Sequence, residues 1–362
     1  MPPTLHHPIL KEIFEELLKK RAFQQNNFSM IQPLLLAGKE CLAVFIELLR
    51  QVRSVTMLRS RISFELQNCF LSSESFPLGL WKMMALYIPQ LIVSDFDEAY
   101  QMSMIEMMEN STRLRRIEAS FDLNTEAWRY LLNTSVTEIS APIRSLIDIG
   151  KLDKHLYANI GIVETFIYID DSALFEEFLV NFRIPCKNLK IQNVESWTSF
   201  WDVILNNFER VNFETLEKLV LKFRVKEQLP NFAELELPNR LEALQIVFPN
   251  LKELDMKIKF DDYEEYTIFG TNFVPHFLFL QLAVNELTNQ IRQANIQYKL
   301  SFRFNIVVLN ILIGHMMIFE ENSVLYNDMM DDLEIGNFNN YGDGDYSDGD
   351  YEDDDLGIDF DN

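Results

Sequence analysis

The chain has 362 residues, 48% of them hydrophobic, and a formal net charge of -23. That length and apolar content support a large buried core, in about one to three domains. The charge is concentrated in the last stretch: residues 327–362 hold fourteen Asp/Glu and no Lys or Arg, which leaves about -9 for the rest. A balance of this kind argues against a nucleic-acid partner, because affinity for phosphate needs clustered Lys and Arg.

The chain begins with a Pro- and His-rich stretch that lacks the charged-then-apolar pattern of a signal peptide. From Pro8, placed as a helix-starting proline, Ile9, Leu10, Ile13, Phe14, Leu17 and Leu18 form one apolar stripe opposite Lys11, Glu12, Glu15 and Glu16. A polar break at Gln24–Asn27 precedes a second apolar segment from Met30 to Arg50. Two or three short helices over residues 1–50 cannot make a large core alone, so they must lean on the remainder of the chain or on a partner. Arg59–Leu66 reads as a first, imperfect strand with Ile62, Phe64 and Leu66 turned inward.

A recurring pattern then takes over. The stretch Leu216-x-x-Leu219-x-Leu221 is a short strand whose alternate residues turn inward. The same apolar spacing occurs from Ile88, Leu114, Val136, Val163 (with Phe166 and Tyr168) and Cys186, and again from Leu241 and Leu251. Up to Leu216 the steps are 26, 22, 27, 23 and 30 residues. Helical spacing fills the gaps at 98–108, 126–132, 174–182 and 197–208. Serial strand–helix units with a period of roughly 20–29 residues predict an α/β leucine-rich-repeat solenoid over 51–260, of an irregular, ribonuclease-inhibitor-like variety. The competing reading is an ordinary α/β domain with evenly spaced strands.

Residues 261–322 are expected to close the solenoid irregularly: an acidic insertion at 259–266, one long helix over 273–292, and a late strand with Leu300, Phe302 and Phe304 alternating. The apolar run Phe304–Phe319 is shorter than the ~20 residues of a membrane-spanning helix and contains Asn305, Asn310 and His315, so a buried strand or helix is expected instead. Residues 323–362 read as a disordered acidic tail. Its Asp343–Asp348 spacing departs from a calcium loop, with Asp348 where glycine is needed. Ser347, with acids after it, is a candidate for an acid-directed kinase.

No catalytic constellation stands out. The histidines (His6, His7, His155, His276, His315) lack metal spacing, and neither a phosphate-cradling Gly-rich loop nor a nucleophile elbow occurs. Neither a cofactor nor a metal is therefore expected. Cys41, Cys69 and Cys186 are odd in number and lack ligand spacing; Cys41 and Cys186 occupy apolar positions, which predicts buried thiols in a reducing compartment, cytoplasmic or nuclear.

The N-terminal pattern Pro8-x-Leu10-x-x-Ile13-Phe14-x-x-Leu17, followed by Leu34-Leu-Leu-Ala-x-Lys39-Glu-x-x-x-x-Phe45, resembles a divergent F-box of the leucine-rich-repeat class. The family's usual leucine before the proline is His7 here, and its characteristic tryptophan has no counterpart after Lys39. The resemblance implies a module that grips the Skp-type adaptor of a cullin–RING ubiquitin ligase while the repeats hold a protein substrate. Pro8, Leu10, Ile13, Phe14 and Leu17 would meet the adaptor, and Leu35, Leu36, Lys39 and Phe45 would complete the module. A plain helical cap on the first repeat is the alternative.

On this reading the protein is a non-catalytic substrate receptor acting from its concave strand-lined face. Candidate contacts there are Lys218, Val220 and Lys222, then Lys190 and Gln192, Thr165 and Ile167, Glu118 and Glu138. The rival function is a scaffold or acidic chaperone for basic proteins such as histones, similar to the acidic leucine-rich nuclear phosphoproteins. Neither reading involves a membrane.

Overall fold

The computed structural model describes residues 7–19, 28–59, 61–67, 70–74, 76–95, 98–109, 111–166, 172–194, 196–207, 213–225, 235–260, 273–308, 311–320 and 323–330. They form an α/β protein. In chain order the elements are α1 (His7–Lys19), α2 (Phe28–Leu36), α3 (Lys39–Leu49), β1 (Ser54–Leu58), β2 (Arg61–Glu65), β3 (Phe70–Ser73), α4 (Leu78–Met84) and β4 (Gln90–Val93). Next come α5 (Glu98–Glu106), β5 (Arg116–Ala119), α6 (Thr125–Leu131), β6 (Glu138–Ser140), α7 (Ile143–Gly150), α8 (Lys154–Tyr157), β7 (Ile162–Phe166) and α9 (Ser172–Asn181). The chain continues through β8 (Asn188–Val194), α10 (Trp197–Asn207), β9 (Lys218–Val225), α11 (Leu237–Val247), β10 (Glu253–Phe260) and α12 (Phe273–Gln293). It ends on β11 (Lys299–Val308), β12 (Ile311–Glu320) and β13 (Ser323–Met330).

The thirteen strands of the described residues join one sheet, in the order β13-β12-β11-β10-β9-β8-β7-β6-β5-β4-β1-β2-β3. Neighbours from β1 through β4 to β11 are parallel, and antiparallel hairpins finish both ends. Parallel neighbours need a crossover, which the intervening helices supply. Val55, Leu91, Ile117, Ile139, Val163, Leu189, Leu219, Leu254 and Leu300 stand in one register column, each buried. The helices form a second row in which α4 meets α5, α5 meets α6, α6 meets α7, α7 meets α9, α9 meets α10, α10 meets α11 and α11 meets α12. Each unit thus buries its apolar side against its neighbours, a solenoid-like α/β arrangement.

One backbone motif repeats just ahead of the strands. The carbonyl of Arg115 accepts the N–H groups of Thr137 and Glu138, Thr137 accepts from Gly161 and Ile162, and Gly161 accepts from Lys187 and Asn188. Lys187 does the same for Glu217 and Lys218, and Glu217 for Lys252 and Glu253. This pairing extends the ladder beyond the strands and gives these backbone donors partners.

Three expectations need correction. The repeat assigned from Val163 with Phe166 and Tyr168 sits three residues earlier, as Ile160, Val163 and Thr165, because Val163 pairs with Ile139 and Leu189. The pattern beginning at Leu241 is not a strand but part of α11, where Leu241, Leu244 and Val247 are buried at helical spacing. Residues 323–330, expected in the tail, form β13. The late strand at Leu300 and the long helix from Phe273 are present, and the apolar run 304–319 is divided between β11 and β12 as a hairpin. Among the described residues no helix is long and apolar enough to cross a membrane. The acidic insertion at 261–266 and the tail from 331 onward lie outside the described residues.

The N-terminal helices share the core of the sheet. A run of ring contacts leads from Phe14 to Phe45 (centroids 5.8 Å apart), Phe28 (6.2 Å), Phe76 (5.2 Å), Phe64 (4.7 Å) and Trp81 (6.3 Å). These tilted pairs tie α1–α3 to β2 and α4 through packed aromatic surface.

Candidate functional site

Strand alternation divides the sheet into two faces. One faces the helices; the other, the open face, carries half-exposed polar side chains. From β5 to β9 these side chains make a continuous polar network. Arg116 lies 3.4 Å from Glu118, 3.6 Å from Glu138 and 3.9 Å from Glu164. Glu164 accepts from Lys190 Nζ at 2.6 Å and also from Gln192 Nε2, while Lys222 Nζ donates to Gln192 Oε1 at 3.1 Å. Towards the strand starts, Lys218 Nζ donates to Glu253 at 2.8 Å and Lys252 Nζ to Glu217 at 2.7 Å. Those hydrogen bonds hold the carboxyls of Glu253 and Glu217 below their ordinary range. Burial lowers the pKa of Lys222, and the nearby charge of Lys190 adds to the effect.

Asn193, at φ 55, breaks the β8–β9 register between Ile191 and Val194. Asparagine tolerates this left-handed conformation, and the resulting bulge lies directly after Gln192.

Of the residues expected on this face, Glu118, Glu138, Lys190, Gln192, Lys218, Val220 and Lys222 are there. Thr165 is not. It is 0% exposed, in register with Ile191, and turned towards the helices. A three-residue displacement of the β7 repeat is an odd number, so it exchanges the faces. Glu164 consequently occupies the open face, at the centre of the network, and Ile167 lies outside the described residues. The sequence reading also passed over Arg116, whose side chain joins three carboxylates; its place ahead of Ile117 was the available signal.

The residues expected to meet an adaptor are divided. Phe14 is 1% exposed, and Leu10 and Phe45 are buried with it in the core. Ile13, Leu17 and Leu35 are half-buried, while Pro8 and Lys39 are exposed. Leu36 is 81% exposed and Ile9 44%. Burial on one side therefore removes Leu10, Phe14 and Phe45 from any partner-facing set. The apolar surface the module presents is Ile9 and Leu36, with Met30 beside them in exposure.

Cys186 is buried, and loss of hydration pushes its thiol up to about 12; Cys41 is only half-buried. Among the described residues no group of three or more His, Cys, Asp or Glu side chains could hold a metal. The arrangement offers charge pairs and a broad polar surface, suited to binding.

In comparisons with known proteins the chain matches no family model, and no curated protein matches it. Fold and open face define an α/β protein built from serial strand–helix units.

Proposed function

We propose that the protein is a non-catalytic substrate receptor: a divergent F-box protein of the leucine-rich-repeat class that presents a protein substrate to a cullin–RING ubiquitin ligase. The repeats would hold the substrate on the open face, through Lys190, Gln192, Lys218 and Lys222, with Glu164 and Arg116 as their charged neighbours. The observation that carries the reading is the exposure of Leu36 on the small helical module ahead of the serial units. An 81% exposed leucine in a module whose other large apolar residues are mostly packed is the kind of surface a partner covers. Function here would come from proximity: holding substrate beside a ligase raises its effective concentration without bond chemistry in this chain.

The test is co-purification of the tagged chain with the Skp-type adaptor and cullin, beside an Ile9→Asp/Leu36→Asp variant. Phe14 is a poor choice for substitution because it is a core residue. Wild type should retain both partners, and the variant should lose them with an unchanged circular dichroism spectrum. Loss of neither, or retention of neither by wild type, makes the helices a cap on the first strands and leaves the open face as a free-standing binding scaffold.

A further inference from the structure

Where β1, β4 and β5 begin, the edge of the sheet carries a cluster of arginines. Arg53 directly precedes β1 and Arg115 directly precedes β5, while the N–H groups of Arg115 and Arg116 both donate to the carbonyl of Pro89, just ahead of β4. Val55, Leu91 and Ile117 are in register, so Arg53 and Arg115 start level with each other, about 10 Å apart across two strand spacings. Two more arginines meet on Tyr87, in the turn before β4. The guanidinium carbon of Arg50 lies 5.1 Å from the ring centre and that of Arg113 5.3 Å. One neutral ring thus holds two like charges close together.

All four side chains are exposed, and none forms an ion pair among the described residues. Arg115 donates to the neutral carbonyl of Ser135 at 2.7 Å. The carboxylates around the cluster are engaged elsewhere: Glu47 with His7 and Lys11, Glu65 with the hydroxyl of Ser54, Glu118 and Glu138 with Arg116. Glu109, exposed in the loop after α5, is the remaining acid nearby. Arginine, with its planar fork of N–H donors, is the cation best matched to carboxylates.

This cluster belongs to an acidic chain, with a net charge of -10 even when the thirteen acids of 331–362 are set aside. A long polyanion would be repelled by the surrounding surface, whereas a short acidic run would be drawn to the arginines alone. The chain carries such a run, residues 343–355, with eight acids. Being tethered, it is present at an effective concentration on the order of mM, ahead of any free partner.

The reach is adequate. β13 lies eight strand spacings from β5, about 38 Å. Met330 is level with Arg224 through Gly314, Asn305 and Lys259. Arg224 is five residues beyond Leu219, Leu219 shares a level with Ile117, and Arg115 is two residues before Ile117. Seven residues along a strand are about 23 Å, so the diagonal from Met330 to Arg115 is about 45 Å. Asp331, Asp332 and Glu334 are too near β13 to span it. Asp343 is thirteen residues on, a reach of up to about 45 Å, and Asp355 twenty-five, up to about 85 Å.

We infer that Arg50, Arg53, Arg113 and Arg115 form the docking site for the chain's own acidic run, residues 343–355. The inference stands apart from the receptor reading, since it needs neither adaptor nor ligase. With the run in place the chain would tie its last strand to the strands beside α3. Any other acidic partner of this edge would have to displace it.

The test uses the full chain with photoreactive benzoylphenylalanine in place of Tyr346 or Tyr351, irradiated as an equal mixture of isotopically light and heavy protein. Links should form to peptides holding residues 50–53, 87 or 113–115, within one isotope. Their yield should fall about tenfold between 0.1 and 1 M salt, as the screening length drops from about 10 Å to about 3 Å. An Arg50→Gln/Arg113→Gln variant, altered only at exposed positions, should lose most of the links with an unchanged circular dichroism spectrum. Replacing the acids of 343–355 by Asn and Gln should do the same while leaving the arginines untouched. The same photoreactive group at Leu333 should give no such links. The inference is overturned by links scattered over other surfaces, by an absence of links, or by a yield indifferent to salt and to the arginine variant. Mixed-isotope pairs would overturn it too, since they assign the run to a second copy.

Discussion

The register of β7 can be tested at two adjacent residues. Thr165 is fully buried towards the helices and its hydroxyl has no hydrogen-bond partner among the described residues, whereas Phe166 stands half-exposed on the open face opposite Gln192. A buried hydroxyl without a partner costs about 1–3 kcal/mol relative to its hydrated state, so Thr165→Val, which keeps the shape, should stabilise by about 1 kcal/mol. Thr165→Lys places a charge there and should destabilise by about 4 kcal/mol. Phe166→Lys should change stability by less than about 1 kcal/mol, since the new charge can reach water. Urea unfolding followed by tryptophan fluorescence reports this directly, because Trp197 and Trp201 are buried in the neighbouring α10. With a slope near 3 kcal/mol/M, the midpoints should shift by roughly +0.3, -1.3 and at most 0.3 M respectively. If Phe166→Lys proved as damaging as Thr165→Lys, or Thr165→Val destabilised, the faces would be exchanged and Glu164 could not lie in the open-face network.

Other parts of the structure give further expected outcomes. Arg240 is 7% exposed, with its guanidinium 5.4 Å from the Trp197 ring and 5.9 Å from Trp201, yet its Nε and Nη1 have no hydrogen-bond partner among the described residues. Arg240→Met should therefore change stability by no more than about 1 kcal/mol, while Arg240→Ala, which also loses the packed stem, should cost about 2–3 kcal/mol in thermal unfolding. In native protein at pH 8, Cys41 should react with a thiol reagent well before Cys186, whose thiol is pushed up to about 12, and Cys186 should label only on unfolding. The lowered carboxyl pKa values of Glu253 and Glu217 mean that their pairs stabilise the fold above the ordinary value of 4.5, and that this contribution is lost as pH falls through the lowered folded values. Carboxyl NMR titration should show Glu253 titrating late on acidification, and Lys218→Met should return it towards the ordinary value.

Much of the architecture could be read from local spacing. The strands around Ile117, Ile139, Leu189 and Leu254 were legible because charged or polar residues flank each inward one, and at Leu91 and Leu219 one flank, Gln90 or Lys218, is polar. β7 was not, since Ile160-Gly-Ile-Val-Glu-Thr-Phe-Ile-Tyr168 offers apolar residues to both faces, and a repeat pattern fits it in two registers. Only pairing with β6 and β8 decides between them. The spacing at Leu241 is shared by helices and short strands for the same reason: a gap of three and then two says little without neighbours.

The sites divide along the same line. That Lys190, Lys218 and Lys222 would share a face is a consequence of period-two alternation within their own strands, so the chain's order alone determined it. That Arg116 would reach Glu164, that Phe14 would be packed against Phe45, and that Arg50 and Arg113 would meet on Tyr87 depended on contacts between residues far apart in sequence. Local patterning sets which way a side chain turns relative to its strand. Which charges become neighbours is set by strand register, and register is fixed only when every unit buries its apolar face against the next.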